Sequence, residues 1–290
     1  MPDSRFFRKR NPIGVGEEVR MKEEIRKFFD EEKIAYAEAL SYADARETAP
    51  HILARADLSP RSLLVFLLPY YAGETDNLSV YAAAKDYHLA IREVTDRLIA
   101  HLSVLFPDSH SVGFGDHSPI DERHAALAAG LGILGENGLL INETYGTYVF
   151  IADILTDISP EALGAVAPHA LVRCEGCGAC HRACPTGILR GESENCLSAV
   201  TQRKGDLTDE EIALMKKCNT VWGCDLCQSA CPHNRAPKVT PLAFFREERI
   251  PRLTREILDG MDKKAFKERA FAWRGRRVVE RNLDALGYDK

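Results

Sequence analysis

All nine cysteines of the chain fall between Cys174 and Cys231, with none elsewhere. No other feature constrains the fold as strongly. Disulfides would need an oxidising compartment, and the N-terminus argues against export. Arg5, Arg8, Lys9 and Arg10 are followed by no apolar stretch of the kind a secretory signal needs. The longest uninterrupted apolar run, Leu63 to Leu68, is ended by Pro69 and is far short of a membrane span. A cytosolic chain with no membrane attachment is expected, its thiols reduced and available to metal.

The spacing says which metal. The first group is Cys174-x2-Cys177-x2-Cys180-x3-Cys184-Pro185, and the second is Cys224-x2-Cys227-x3-Cys231-Pro232, preceded at a distance by Cys196. The first spacing is that of bacterial ferredoxins, in which three closely spaced thiolates wrap one cubane and the cysteine before proline serves the other. By that logic Cys174, Cys177, Cys180 and Cys231 hold one 4Fe–4S cluster, and Cys184, Cys196, Cys224 and Cys227 hold a second. Zinc takes four ligands and would leave four cysteines idle. Cys177-Gly-Ala-Cys180-His181 spells a c-type haem site, but haem would strand Cys174 and Cys184. Cys218 lies outside the pattern and reads as a small buried residue.

The rest of the chain is an ordinary globular sequence, 45% hydrophobic and 28% charged. Residues 17–33 place Val19, Met21, Ile25, Phe28 and Phe29 at helical spacing. Ser62 to Leu68 predicts a buried strand, 78–105 a long amphipathic helix, and Ser111 to Gly115 a short strand before a helix near 120–130. Leu139 to Asn142 and Thr147 to Leu155 predict two further strands. Helices alternating with strands imply a layered α/β domain. Three regions are expected: an α/β domain over 1–165, an α+β ferredoxin-like domain with both clusters over 166–237, and a short helical basic tail over 238–290. Ser159 to His169, rich in Pro, Ala and Gly, reads as the first linker. In the tail, Phe244, Phe245, Phe266, Phe271 and Trp273 read as anchors.

Two clusters alone make an electron carrier, but here the first cysteine comes only at position 174. A domain of that size joined to a redox wire should hold a cofactor or substrate where the electrons end. Gly130, Gly132, Gly135 and Gly138 would let backbone lie close to a flat ligand, although tight turns give the same pattern. The phosphate-cradling fingerprint Gly-x4-Gly-Lys-Ser/Thr is absent. Net charge is −5, yet residues 241–290 hold 13 Lys/Arg against 9 Asp/Glu. A polyanion, if bound, should meet that end.

Several motifs together resemble the epoxyqueuosine reductase family and, more distantly, reductive dehalogenases. They are Tyr81-Ala-x3-Asp86-Tyr87-His88, Asp116-x2-Pro119-x2-Glu122-Arg123, and Gly130-Leu-Gly132-x2-Gly135-x-Asn137-x-Leu-Leu-Ile141-Asn142. The series continues through Gly146, Phe150, Leu155-Thr156-Asp157, the cysteine array, Gly223-Cys224-Asp225-x-Cys227-Gln228 and Arg281-Asn282. The resemblance implies a cobalamin-dependent reductase that converts epoxyqueuosine to queuosine in tRNA, with a small donor protein such as a flavodoxin or ferredoxin feeding the clusters. It implies that Asp116 donates a proton to the substrate. It also implies that Tyr81, Arg123, Asn137, Leu140, Ile151 and Asp225 meet the cobalamin, the last beside the nearer cluster.

The chain departs from that family in having Ala83 and Ala84 where Arg-Gly is usual, and Glu136 where Lys is usual. It ends where many members continue into helical repeats, so a short form is expected. The other readings are a corrinoid and iron–sulfur reductase of a small molecule, and a non-catalytic two-cluster carrier. If tRNA binds, Arg274, Arg276, Arg277 and Arg281 beside Trp273 should meet it. Asp108-x-His110-x2-Gly113 spells a cobalt-coordinating motif but lacks its usual companions, so it is taken as coincidence.

Overall fold

The computed structural model describes residues 15–189 and 195–288, so Arg5, Arg8, Lys9 and Arg10 lie outside it, as do the side chains of Val19 and Met21. The elements of the first part are α1 (Val15–Glu31), β1 (Ala37–Ser41), α2 (Pro50–Ala56), β2 (Ser62–Pro69), α3 (Tyr87–Leu105), β3 (Ser111–Phe114), α4 (Glu122–Ala128), β4 (Ile133–Leu134), β5 (Leu140–Ile141), β6 (Val149–Thr156) and α5 (Pro160–Leu163). Four strands form one sheet in the order β1-β2-β6-β3, every pair antiparallel, while β4 and β5 make a small hairpin.

β2 explains the layering. All eight of its residues are buried, because helices cover both faces of a central strand and a continuous apolar run results. Side chains alternate across it. Leu64, Phe66 and Leu68 join Ile25, Phe28, Phe29, Ile91, Val94 and Leu98 from α1 and α3. Leu63, Val65 and Leu67 face the other way, onto Leu53 of α2 and Ala125 to Ala128 of α4. Each large side chain so buried contributes about 1.5–3 kcal/mol.

The helix expected over 78–105 begins only at Tyr87, capped by Asp86, whose side chain accepts from His88 N at 3.0 Å. The preceding residues form a tight turn at Val80–Ala82. Their backbone groups are bonded elsewhere: Ser79 N donates to Trp222 O, Asp86 N donates to Glu268 O, and Ala83 O accepts from Ile250 N. Long-range partners outcompete the local helix there. The expected linker is also built in. Ser159 caps α5, Ala162 and Leu163 are buried, and Val166 N donates to Ala39 O at the edge of β1.

The cysteine segment carries α6 (Ala179–Ala183), α7 (Leu197–Gln202), α8 (Asp209–Cys218) and α9 (Leu226–Ser229). The tail carries α10 (Ala243–Arg246), α11 (Arg255–Asp259), α12 (Lys263–Lys267) and α13 (Arg276–Leu286). Phe245 enters the first core. Phe266 and Phe271 join Leu78, Ala82 and Trp222 in a third core shared by all three regions. Trp273 is no anchor: it is 57% exposed, lying flat under the Arg274 guanidinium at 3.7 Å. Among the described residues no helix is long and apolar enough to cross a membrane.

Candidate active site and cysteine centres

Cys174, Cys177, Cys180 and Cys231 line one cavity of about 70 Å³, closed by Gly135, Glu136, Asn137 and Ile141 of the β4–β5 hairpin. The hairpin is tied to this segment: Cys174 N donates to Leu134 O, and Leu134 N donates to Val172 O. Gly176 and Gly178 both have positive φ, 68° and 70°, which lets the loop curl around the cavity. Glu136 Oε2 lies 3.1 Å from His181 Nε2 at its rim. Cys196, Cys224, Cys227 and Cys184 neighbour one another in a second group. Burial pushes Cys224 up to about 12 and Cys227 up to about 11, reinforced by Asp225 and by the surrounding thiols, Cys196 among them. Thiols crowded in this way ionise only when a cation compensates, as iron does for thiolate ligands. Cys218 is half-buried at the end of α8, its thiol pushed up by burial.

The second group is held to the sheet domain with little slack. Ser79 Oγ donates to Asp225 Oδ1 at 2.5 Å and Val80 N to Asp225 Oδ2 at 2.6 Å. Burial raises the Asp225 carboxyl, and these two donors oppose the rise. Trp222 Nε1 donates to Tyr81 OH at 3.0 Å. Gly223 has φ +75, and a Cβ there would stand 2.4 Å from Ser79 Cβ. Gln228 Nε2 donates to Tyr70 OH and Thr147 O, both at 2.9 Å. At the far end of the chain, Asn282 Nδ2 donates to Thr201 O and Val221 O, both at 2.7 Å.

From Asp225 an aromatic group leads to Asp116. Tyr81 stands edge-on to Tyr87 and Phe150, with centroids 6.2 and 6.5 Å away. Tyr87 stacks on Phe150 at 4.0 Å. Tyr87 OH donates to Asp116 Oδ2, and His88 Nε2 lies 3.7 Å from the same oxygen. His88 Nδ1 is 2.8 Å from Asp86 Oδ1. Burial and the Asp86 charge push the Asp116 carboxyl above its ordinary value, with His117 acting against them. The residue has φ +64, a left-handed conformation that Asp tolerates better than most. Such strain recurs where a side chain must be aimed.

The residues assigned to a cofactor are spread around this region. Val149, Phe150 and Ile151 are half-buried, whereas the rest of β6 is fully buried, so the sheet is open at this end. Asn137 Oδ1 accepts from Leu139 N, and Asn137 Nδ2 is buried with no partner among the described residues. Arg123 Nη1 donates to Gly138 O at 3.1 Å. The Leu140 side chain belongs to the core, which leaves only its backbone for a ligand. Three glycines of the run serve chain packing. Added Cβ atoms would meet His169 at Gly130, the Ile141 carbonyl at Gly132 and the Asn137 side chain at Gly135. His110 is occupied with Asp157 through its backbone N–H. Sequence reasoning gave no role to Tyr87 or His88 apart from a motif, and it missed Ser118 and Asp153, which are bonded at 3.0 Å beneath the Asp116 loop.

Fold and cysteine site together define an iron–sulfur protein in which a sheet domain is fused to a 4Fe–4S binding region. Residues 173–234 match the 4Fe-4S double cluster binding domain family. The chain is 34% identical over 220 residues to the epoxyqueuosine reductase of Staphylococcus aureus, covering 71% of this chain and 56% of that one. It is 30% identical over 225 residues to that of Leadbetterella byssophila, covering 72% of each. The chain belongs to the epoxyqueuosine reductase family. It spans about half the length of the first curated relatives it matches. The structure of epoxyqueuosine reductase from Streptococcus thermophilus shares the fold, with TM-score 0.74 and 24% identity over 91% of this chain and 80% of that one. So does an epoxyqueuosine reductase bound to an epoxyqueuosine-modified tRNA-Tyr stem loop, with TM-score 0.76 and 23% identity over 93% and 81%.

Proposed function

We propose that this chain is a cobalamin-dependent reductase that converts epoxyqueuosine to queuosine in tRNA, with electrons arriving through two 4Fe–4S clusters. Cys174, Cys177, Cys180 and Cys231 hold the outer cluster, and Cys184, Cys196, Cys224 and Cys227 the inner one. A small donor protein, a flavodoxin or ferredoxin, reduces the outer cluster. The observation that carries this reading is the continuity from Cys224 and Asp225, through Tyr81, Phe150 and Tyr87, to the raised carboxyl of Asp116.

Cobalamin fits what the open end of β6 offers. A flat macrocycle fringed with amides suits the half-buried stretch Val149 to Ile151 and the unpartnered amide of Asn137. Tyr81, Arg123, Asn137, Ile151, Asp225 and the Leu140 backbone are the residues that would hold it. Bound there, it would supply the strongly reducing chemistry that opens a C–O bond. This chain's own part is the proton. Removing an epoxide oxygen as water needs two protons as well as two electrons, and a carboxyl delivers a proton near neutrality only when its environment raises its pKa. Burial moves the Asp116 carboxyl in that direction, with Tyr87 OH donating to its Oδ2 and His88 beside it.

One observation favours the small-molecule alternative. Two of the four arginines expected to meet tRNA are engaged within the chain. Arg276 Nη2 donates to Leu258 O at 2.8 Å and Asp259 Oδ1 at 3.0 Å, while Arg281 Nη1 donates to Arg203 O at 2.7 Å. Arg274 and Arg277 remain exposed for phosphates. The deciding experiment incubates reduced, cobalamin-loaded protein with epoxyqueuosine-containing tRNA and digests the product for nucleoside analysis. Queuosine made by wild type but not by Asp116→Ala establishes substrate and donor. None from wild type with its clusters and cobalamin intact rejects the tRNA reading.

A further inference from the structure

Beneath the Asp116 loop lie two carboxyl groups with no part in the chemistry above. Asp153, on β6, is wholly buried. Its Oδ1 accepts from Ser118 Oγ, and its Oδ2 has no hydrogen-bond partner among the described residues. Glu122, the first residue of α4, likewise buries an unpartnered oxygen, Oε1. Among the described residues neither group forms an ion pair, and the adjacent Arg123 is turned to the Gly138 carbonyl. A carboxylate removed from water without a cation or enough donors is disfavoured, and its way out is to keep a proton. The groups facing Glu122 are Asp153, Asp116 and Asp121, all acidic; those facing Asp116 are Asp86, His88 and His117. Burial, then the Asp153 and Asp116 charges, push Glu122 up to about 8, and burial pushes Asp153 up to about 7.

We infer that Glu122 and Asp153 hold a proton in common at neutral pH and return it to Asp116 after that carboxyl has given up its own. The inference rests on Asp116 as the donor proposed above. One carboxyl carries one proton, while releasing an epoxide oxygen as water consumes two, along with two electrons from the reduced clusters. In the return step an O–H bond of the pair breaks, an O–H bond forms on Asp116, and the pair is left with one more negative charge. Water then refills the pair once the product has gone. Asp116 sits beside the store, its backbone amide directed at the Glu122 carboxylate. Glu122 and Asp153 are positioning residues here, acting through Asp116.

Infrared difference spectroscopy of the cluster-loaded protein, titrated between about pH 5 and 9, tests the store without any substrate. A protonated-carboxyl band present at neutral pH and diminished in both Glu122→Gln and Asp153→Asn supports the pair. A wild-type spectrum without such a band, or with one unchanged in both variants, overturns it whatever the substrate proves to be. Turnover then tests the return step. Glu122→Gln should lower kcat at least tenfold at alkaline pH with KM unchanged and lose the wild-type alkaline limb, and Glu122→Asp should restore that limb. Identical pH profiles for wild type and Glu122→Gln would overturn the return step. Asp153→Asn keeps an acceptor for Ser118, so it removes the proton site and leaves the loop anchor in place.

Discussion

Ser79 and Asp225, 146 residues apart in sequence, meet in a 2.5 Å hydrogen bond that fastens the turn before α3 to the residue following Cys224. The bond has two consequences. It satisfies a buried carboxylate, and it fixes the inner cysteine group against the aromatic residues that lead to Asp116. Ser79→Ala leaves that carboxylate with one fewer donor and should destabilise the protein by about 1.5–3 kcal/mol. Denaturant unfolding measures it. A loss below about 0.5 kcal/mol would remove this contact from the account.

The cysteine assignment predicts iron content. Anaerobically purified protein should hold about eight irons per chain, and Cys196→Ala about four, with the outer cluster retained. Stoichiometric zinc in place of iron after anaerobic reconstitution would reject the assignment.

Gly223→Ala should be among the most damaging single-methyl changes in the chain. The new Cβ would stand 2.4 Å from Ser79 Cβ on a backbone at φ +75. Strain and overpacking together should cost at least about 2 kcal/mol. Gly205→Ala, with positive φ but open space around it, is the control that separates the two effects. Equal losses at both sites would mean that packing against Ser79 contributes nothing.

Stability should fall with rising pH through the range set by Glu122 and Asp153. Their folded values, about 8 and about 7, stand above 4.5 and 3.8. The native state therefore binds more protons than the unfolded one in between, and stability is lost as pH climbs towards the folded values. Glu122→Gln should flatten this slope, sparing about 2–4 kcal/mol by about pH 8. Parallel stability curves for variant and wild type would show that the pair ionises normally.

If tRNA binds, Arg274 and Arg277 carry the contact at this end of the molecule. Replacing both should flatten the log–log salt dependence of binding by about 1.5 units, while Arg276→Ala should lower stability. An unchanged slope in the double variant would place the nucleic acid elsewhere.

What could be read in advance follows from how local each constraint is. A cluster demands thiolates a few residues apart, so Cys174, Cys177 and Cys180 announce themselves, and the proline after Cys231 marks it as their partner. β2 is legible because a strand covered on both faces runs apolar without alternation, from Leu63 to Leu68. The turn at residues 79–86 is not, since its conformation is decided by Trp222, Ile250 and Glu268, far along the chain. Arg276 and Arg281 look like a basic patch by composition, and only the fold reveals the carbonyls that claim them. Asp153 gives one signal, a charge in the middle of the apolar run Val149–Thr156, and the clear strand pattern around it masks that signal.

The third core and the Thr240 hydroxyl, which donates to Pro69 O at 2.6 Å, also bear on the order in which the protein is made. Residues 37–165 leave the ribosome with the end of β2 and the turn before α3 uncovered, because Thr240, Phe245 and Ile250 are synthesised later. The cysteine segment emerges in between, while its own cover is still missing. A nascent chain paused just beyond Cys231 would therefore present its thiols to the iron-delivery machinery more openly than the finished protein does. Translation of the segment that follows would then cover the cysteine segment, as Asn282 does at Thr201 and Val221.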